Sequence, residues 1–182
     1  MGELKSAWEI AQEKADRLGK LSAEEEEQQR KQKCHQIGQA ITQRWLNNLD
    51  LPNMAAALNS YREEEKGLIR QASFNCLVKA IGFNSSKVGK AIQEIVSLEP
   101  ATQPIIEGII KLIQEYEEAE RKTRQELESN YREVLHQLRI SGTAVGDIDI
   151  EATPRWQQAQ QRLIKALEPR LNSLKQELTK ID

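Results

Sequence analysis

The chain has 182 residues, with 26 lysines and arginines against 28 aspartates and glutamates, a formal net charge of −2, and 4% aromatic residues. That length suits one domain, or a small domain with an extension. The regular recurrence of Leu, Ile and Val excludes a wholly disordered chain, and the composition excludes the collagen-like and disulfide-rich classes. A near-neutral balance argues against a dedicated nucleic-acid binder, which needs a basic surplus or stripe to neutralise phosphates.

No run of about 18 apolar residues is present, so no membrane span is expected. The charged opening Met1-Gly2-Glu3-Leu4-Lys5 lacks the apolar core of a secretory signal. Cys34 and Cys76 form no Cys-x-x-Cys unit and read as two reduced thiols in a cytoplasmic protein.

Helix signals fill the chain. Leu4, Ala7, Trp8, Ala11, Ala15 and Leu18 recur at helical steps over residues 3–18, and Gly19 closes that segment. Ser22 with Glu25 forms a capping box for a second helix to Leu49. From Pro52 the pattern resumes to Ile81, with Gly82 as its stop. A short apolar helix follows, capped by Ser85 or Ser86 and stopped by Pro100. Thr102 and Pro104 then open a long helix to about Arg139, which Ser141-Gly142 breaks. Thr153-Pro154 starts the last helix, where Trp156, Leu163, Leu167, Leu171, Leu174, Leu178 and Ile181 make a stripe and Pro169 predicts a kink.

The long helix carries the main physical inference. Its apolar stripe is Ile105, Ile109, Leu112, Tyr116, Ala119, Thr123, Leu127, Tyr131, Val134 and Leu138. The average step lies near the ~3.67 residues of an eleven-residue repeat. At ~1.5 Å per residue the helix spans about 55 Å, against a diameter of roughly 40 Å for a compact fold of this size. The expected architecture is therefore an all-α single domain, residues 1–182: an elongated antiparallel helical bundle or coiled-coil stalk with a small helical head. The head is placed at residues 53–113, the bundle at 22–50, 114–140 and 154–181, and a loop at 141–153. Residues 24–33 and 117–126 each run from acids to bases, which supports helices by i, i+4 pairs such as Glu27/Lys31 and Glu120/Arg124. Laid antiparallel, the two stretches would also complement each other.

Catalytic signals are sparse. Glu133-x-x-His136 matches half of the element by which helix bundles hold paired metal ions, and its bland reading is a helix-surface pair. Asp147, Asp149 and Glu151 alternate with Ile148 and Ile150, so an extended backbone would set three carboxylates on one side and two isoleucines on the other. These four acids and one histidine are the candidate metal ligands, with no resident cofactor implied. Ile148 and Ile150 either pin the loop to the bundle or offer an edge to a docked peptide. Trp8 would anchor a docking helix if the rest of the chain left it uncovered. No phosphate-cradling Gly-rich loop, Gly-x-Ser-x-Gly or His-Glu-x-x-His occurs.

The opening Glu3-Leu4-Lys5-Ser6-Ala7-Trp8-Glu9-Ile10-Ala11, with Leu18-Gly19-Lys20-Leu21-Ser22 and the Ser141-to-Trp156 segment, resembles a group of uncharacterised bacterial all-helical proteins. The resemblance implies a bacterial cytosolic setting and brings no mechanism. The leading expectation is a non-enzymatic scaffold or adaptor that binds a protein partner, or a second copy of itself, through exposed helix faces. The alternative is a metal-dependent helical-bundle protein or enzyme using Glu133 and His136.

Overall fold

The computed structural model describes residues 22–47, 54–140 and 149–181. Its elements are α1 (Ala23–Leu46), α2 (Met54–Asn59), α3 (Glu63–Ala80), α4 (Val88–Leu98), a 3-10 turn (Pro100–Thr102), α5 (Gln103–Gln137) and α6 (Pro154–Leu178). All regular structure among the described residues is helical, as the spacing predicts. The chain divides into two compact units, Met1–Ser73 and Phe74–Asp182, with the division inside α3. The expected helix over residues 3–18 and Trp8 lie outside the described residues.

In the first unit, α1 opens on the expected capping box. Ser22 Oγ accepts the Glu25 N–H at 3.2 Å, and Glu25 Oε2 accepts the Ser22 N–H at 2.8 Å. No residue of the first eleven of α1 is buried, so local terms must hold this stretch. Glu27 supplies two of them, 2.6 Å from Arg30 and 3.6 Å from Lys31. The hydrogen bond from Arg30 holds the Glu27 carboxyl below its ordinary range and raises the guanidinium in return.

Burial begins at Cys34, whose thiol burial pushes above its usual pKa. At Gly38, α1 crosses the first half of α3 at close range. A Cβ there would lie 2.6 Å from the Ile69 carbonyl oxygen and 2.7 Å from Ala72 Cβ. The Gly38 carbonyl accepts the hydroxyls of Thr42 (2.9 Å) and Ser73 (3.2 Å), so both polar side chains are buried and satisfied.

The single helix expected from Pro52 to Ile81 is two helices. Ser60 Oγ donates to the Ala57 carbonyl at 2.7 Å, and the Ser60 and Tyr61 amides make only long i−3 bonds of 3.4 and 3.5 Å. This side-chain competition for backbone groups ends α2. Glu63, Glu64 and Glu65 then occupy the first turn of α3, where carboxylates favour the positive end of the helix dipole.

The core of the second unit is built from Phe74, Leu77, Val78 and Ile81 of α3 and its end, Ala91 and Ile95 of α4, Ile106, Ile109, Leu112 and Tyr116 of α5, and Leu171 and Leu178 of α6. The expected serine cap of α4 does not form: Lys87 is the N-cap without a side-chain bond, and Ser85 Oγ accepts the Lys87 N–H instead. Thr102 precedes α5, but its hydroxyl donates to the Glu99 carbonyl at 2.6 Å and does not cap.

Helix α5 runs unbroken for 35 residues, through 117–126, a length of about 52 Å at ~1.5 Å per residue. It closes in a Schellman motif: the Arg139 N–H bonds the His136 carbonyl (3.0 Å) and the Ile140 N–H bonds the Leu135 carbonyl (2.9 Å). Arg139 takes the left-handed conformation, φ 58°, that glycine accepts without strain.

Helix α6 packs antiparallel along α5. Leu174 lies against Gly108, Arg170 reaches Glu115, Gln160 reaches Glu120, and Trp156 lies under Arg124. Its start is as expected, with Thr153 Oγ1 accepting the Trp156 N–H at 3.2 Å and Pro154 in first position. The helix continues through Pro169, which leaves the Lys165 carbonyl without its i+4 amide.

Gly38→Ala should cost about 2–3 kcal/mol, because its methyl meets backbone and cannot be relieved by a rotamer. Denaturant unfolding would show it. Arg139→Gly should have the opposite sign, stabilising by about 1 kcal/mol as the left-handed strain is removed.

Candidate binding cleft

Among the described residues the sequence candidates do not converge. Glu133 and His136 are exposed on α5, and Glu133 Oε1 accepts a hydrogen bond from Gln137 at 3.4 Å. Asp149 is exposed, and its Oδ1 accepts the Ala152 N–H at 3.2 Å, which shapes the turn into α6. Glu151 pairs with Arg124 at 2.6 Å. Ile150 is buried, between these two exposed acids. Asp147 and Ile148 lie outside the described residues. Among the described residues no group of three or more His, Cys, Asp or Glu side chains is placed to hold a metal ion.

Two charges of 117–126, Glu120 and Arg124, find partners on the last helix and the segment before it. Arg124 is held between the Glu151 carboxylate and the face of Trp156, 5.1 Å from the ring centroid. Lower on the same pair, Arg170 Nη1 donates to both oxygens of Glu115, at 2.8 and 2.9 Å. These contacts fix the register of α5 on α6.

Where α3 ends and α4 begins, a second cluster forms that residue spacing alone does not announce. Phe83 stacks on Tyr116 with ring centroids 4.8 Å apart. The Tyr116 hydroxyl lies 2.9 Å from Asn84 Oδ1 and 3.3 Å from Glu120 Oε1, so one proton is shared between two acceptors. Glu120 Oε1 also accepts from Gln160 Nε2 at 3.0 Å. Lys175 of α6 donates to the Ile81 carbonyl, covering the end of α3, and burial pushes its ammonium below the usual lysine range. The turn from Ile81 to Lys87 is thus tied to both long helices.

That anchored turn forms one wall of an open cleft of about 360 Å³. Phe83, Val88, Ile92 and, from α5, Ile110 and Ile113 line it, with the polar Ser85 and Gln114 beside them. Gly82 and Gly89 line it without side chains, and Glu117 is its one charged lining residue. Sequence patterning places Ile110 and Ile113 in the head core, yet Ile110 is 37% exposed. The signal available in the sequence was Gly89, a helix-weakening residue in the first turn of a strongly apolar segment.

Fold and cleft together define a small all-helical protein with an apolar recess beside a long helix pair. A family model described as a family of unknown function (DUF6657) matches residues 55–180, and the chain belongs to that family. The match takes in the whole of α3, α4, α5 and α6. No curated protein and no solved structure matches the chain. No helix among the described residues is long and apolar enough to cross a membrane.

Burial, and after it the neighbouring Glu120 carboxylate, push the Tyr116 hydroxyl above its ordinary pKa. The folded chain therefore keeps this proton to higher pH than the unfolded one. The stability it contributes is complete below the unfolded value of about 10 and is lost as pH rises toward the folded value. Tyr116→Phe should cost about 1 kcal/mol at neutral pH. It should also lose less stability than the wild type between pH 9 and 11, as read by urea midpoints.

Proposed function

We propose that the protein is a non-enzymatic scaffold or adaptor of the bacterial cytoplasm that binds a protein partner through apolar side chains left uncovered on its helices. The observation that carries this reading is the course of burial along α5. Ile109, Leu112 and Tyr116 are buried, Ala119, Thr123, Leu127 and Tyr131 are half-buried, and Val134 and Leu138 are 48% and 64% exposed, with Ile140 following at 42%. The apolar period persists where the cover runs out.

Single exposed apolar residues are ordinary, whereas several on one stretch of one helix mark an interaction surface. At 100° per residue, Leu127, Asn130, Tyr131, Val134, Gln137 and Leu138 share an uncharged face. The charged side chains of this stretch are occupied elsewhere, Arg132 with Glu128 at 2.6 Å and Glu133 with Gln137. A partner helix laid on that face would bury apolar surface without stranding a charge. The cytoplasmic setting is supported by two free cysteines and by the likeness of the opening segment to bacterial proteins.

A photo-cross-linking residue at position 138 should trap a discrete partner in cells, and one at the exposed polar position 125 should not. The partner, once purified, should bind the full-length protein at least about tenfold more weakly after Val134→Asp, with the melting temperature unchanged. Equal trapping at both positions, or unaltered affinity, would count against the reading. An adduct of twice the chain's own mass would identify the partner as a second copy.

A further inference from the structure

The cleft beside α4 lies on a different part of the second unit from the exposed end of α5, and it assigns a chemistry to a partner. Its volume of about 360 Å³ falls within the ~300–1,000 Å³ typical of ligand-receiving sites. Five apolar side chains line it together with the polar Ser85, Gln114 and Glu117, and Ile110 among them stays partly in water. An apolar group entering it would take that surface out of solvent.

Two glycines point the same way. Gly89 stands in the first turn of α4, where alanine forms a better helix. Neither Gly89 nor Gly82 has a left-handed φ, and a Cβ built on either meets nothing within 4 Å. Backbone conformation and internal packing therefore explain neither. Gly67 in α3 is equally open, so openness alone decides nothing. What distinguishes Gly82 and Gly89 is that both wall one apolar cleft, where bare backbone admits close approach of another chain.

The charge at the rim is negative. Glu117 is the one charged residue of the lining, and it has no hydrogen-bond or ion-pair partner among the described residues. Glu120, one turn further on, is already engaged by Gln160 and Tyr116. Lys87 and Lys90, on the same end of α4, do not line the recess.

We propose that this cleft receives a large apolar side chain from a basic peptide segment of a partner protein, with a lysine or arginine beside the anchor pairing with Glu117. The inference rests on the reading of the protein as an adaptor and names the partner's chemistry. Main chain of the peptide passes over Gly82 and Gly89, the anchor fills the space above Ile110, and the cation completes the rim.

The test is selection of a displayed random-peptide library on the full-length protein. Enriched peptides should carry a large apolar residue flanked by Lys or Arg. Their binding should shift the amide resonances of Gly82 and Gly89. Affinity should fall by about tenfold or more in Gly89→Leu, which fills the recess, and in Glu117→Lys, which reverses the rim charge. Leucine is a better helix former than glycine, so Gly89→Leu should melt no lower than the wild type, and loss of fold is not the cause. No enrichment, enrichment of acidic or uncharged peptides, or binding that survives Gly89→Leu would each overturn the proposal. The adaptor reading is separable: trapping at position 138 that persists in Gly89→Leu retains it while the cleft assignment fails, and absence of trapping removes the adaptor reading itself.

Discussion

A helix can bury only as much of its apolar stripe as neighbouring elements cover, and α5 is longer than its cover. That mismatch organises the second unit. Over its first four turns α5 shares a core with α4 and the last half of α6, and Ile109, Leu112 and Tyr116 of its stripe are buried. Further along, among the described residues, it has only the start of α6, and hydrogen bonds and cation–aromatic contacts take over from packing: Gln160 to Glu120, Arg124 over Trp156, and Arg155 over Tyr131 at 6.0 Å. Past Tyr131 the stripe is uncovered. Each stage follows from how much partner surface is present, not from a change in the sequence pattern, which keeps the same spacing to Leu138.

Features set by neighbours three or four residues apart were legible in the sequence. The Ser22/Glu25 capping box, the Thr153-Pro154 start and the unbroken course of α5 all depend on local geometry, and all formed as expected. Features set by competition for a hydrogen bond were misread. Ser85 and Thr102 are good capping residues by type, yet each hydroxyl found another backbone partner, the Lys87 amide and the Glu99 carbonyl. The break at Ser60–Arg62 has the same origin, a serine hydroxyl bonding back to Ala57.

Tertiary features were the least legible. Gln160 meets Glu120 across 40 residues and Tyr116 meets Asn84 across 32, and no periodicity records such pairs. The cleft is a further case. Ile110 and Ile113 look like core residues by spacing, and only the placement of the Gly82–Gly89 turn shows that the recess around them stays open. Of the acids singled out by pattern, Asp149 holds the turn before α6 and Glu151 the register of Arg124.

Each compact unit contains one thiol, Cys34 in the first and Cys76 in the second, and neither is in a disulfide. Cys34 is 1% exposed and protonated more firmly than a free cysteine, so an alkylating reagent reaches it only when α1 and its surroundings loosen. Its modification rate, divided by that of an unprotected thiol, is then a clock for local opening, with no engineered probe. Cys76 is only half-buried and reacts without such opening, so mass analysis of labelled chains reads Cys34 alone as the timer of local loosening.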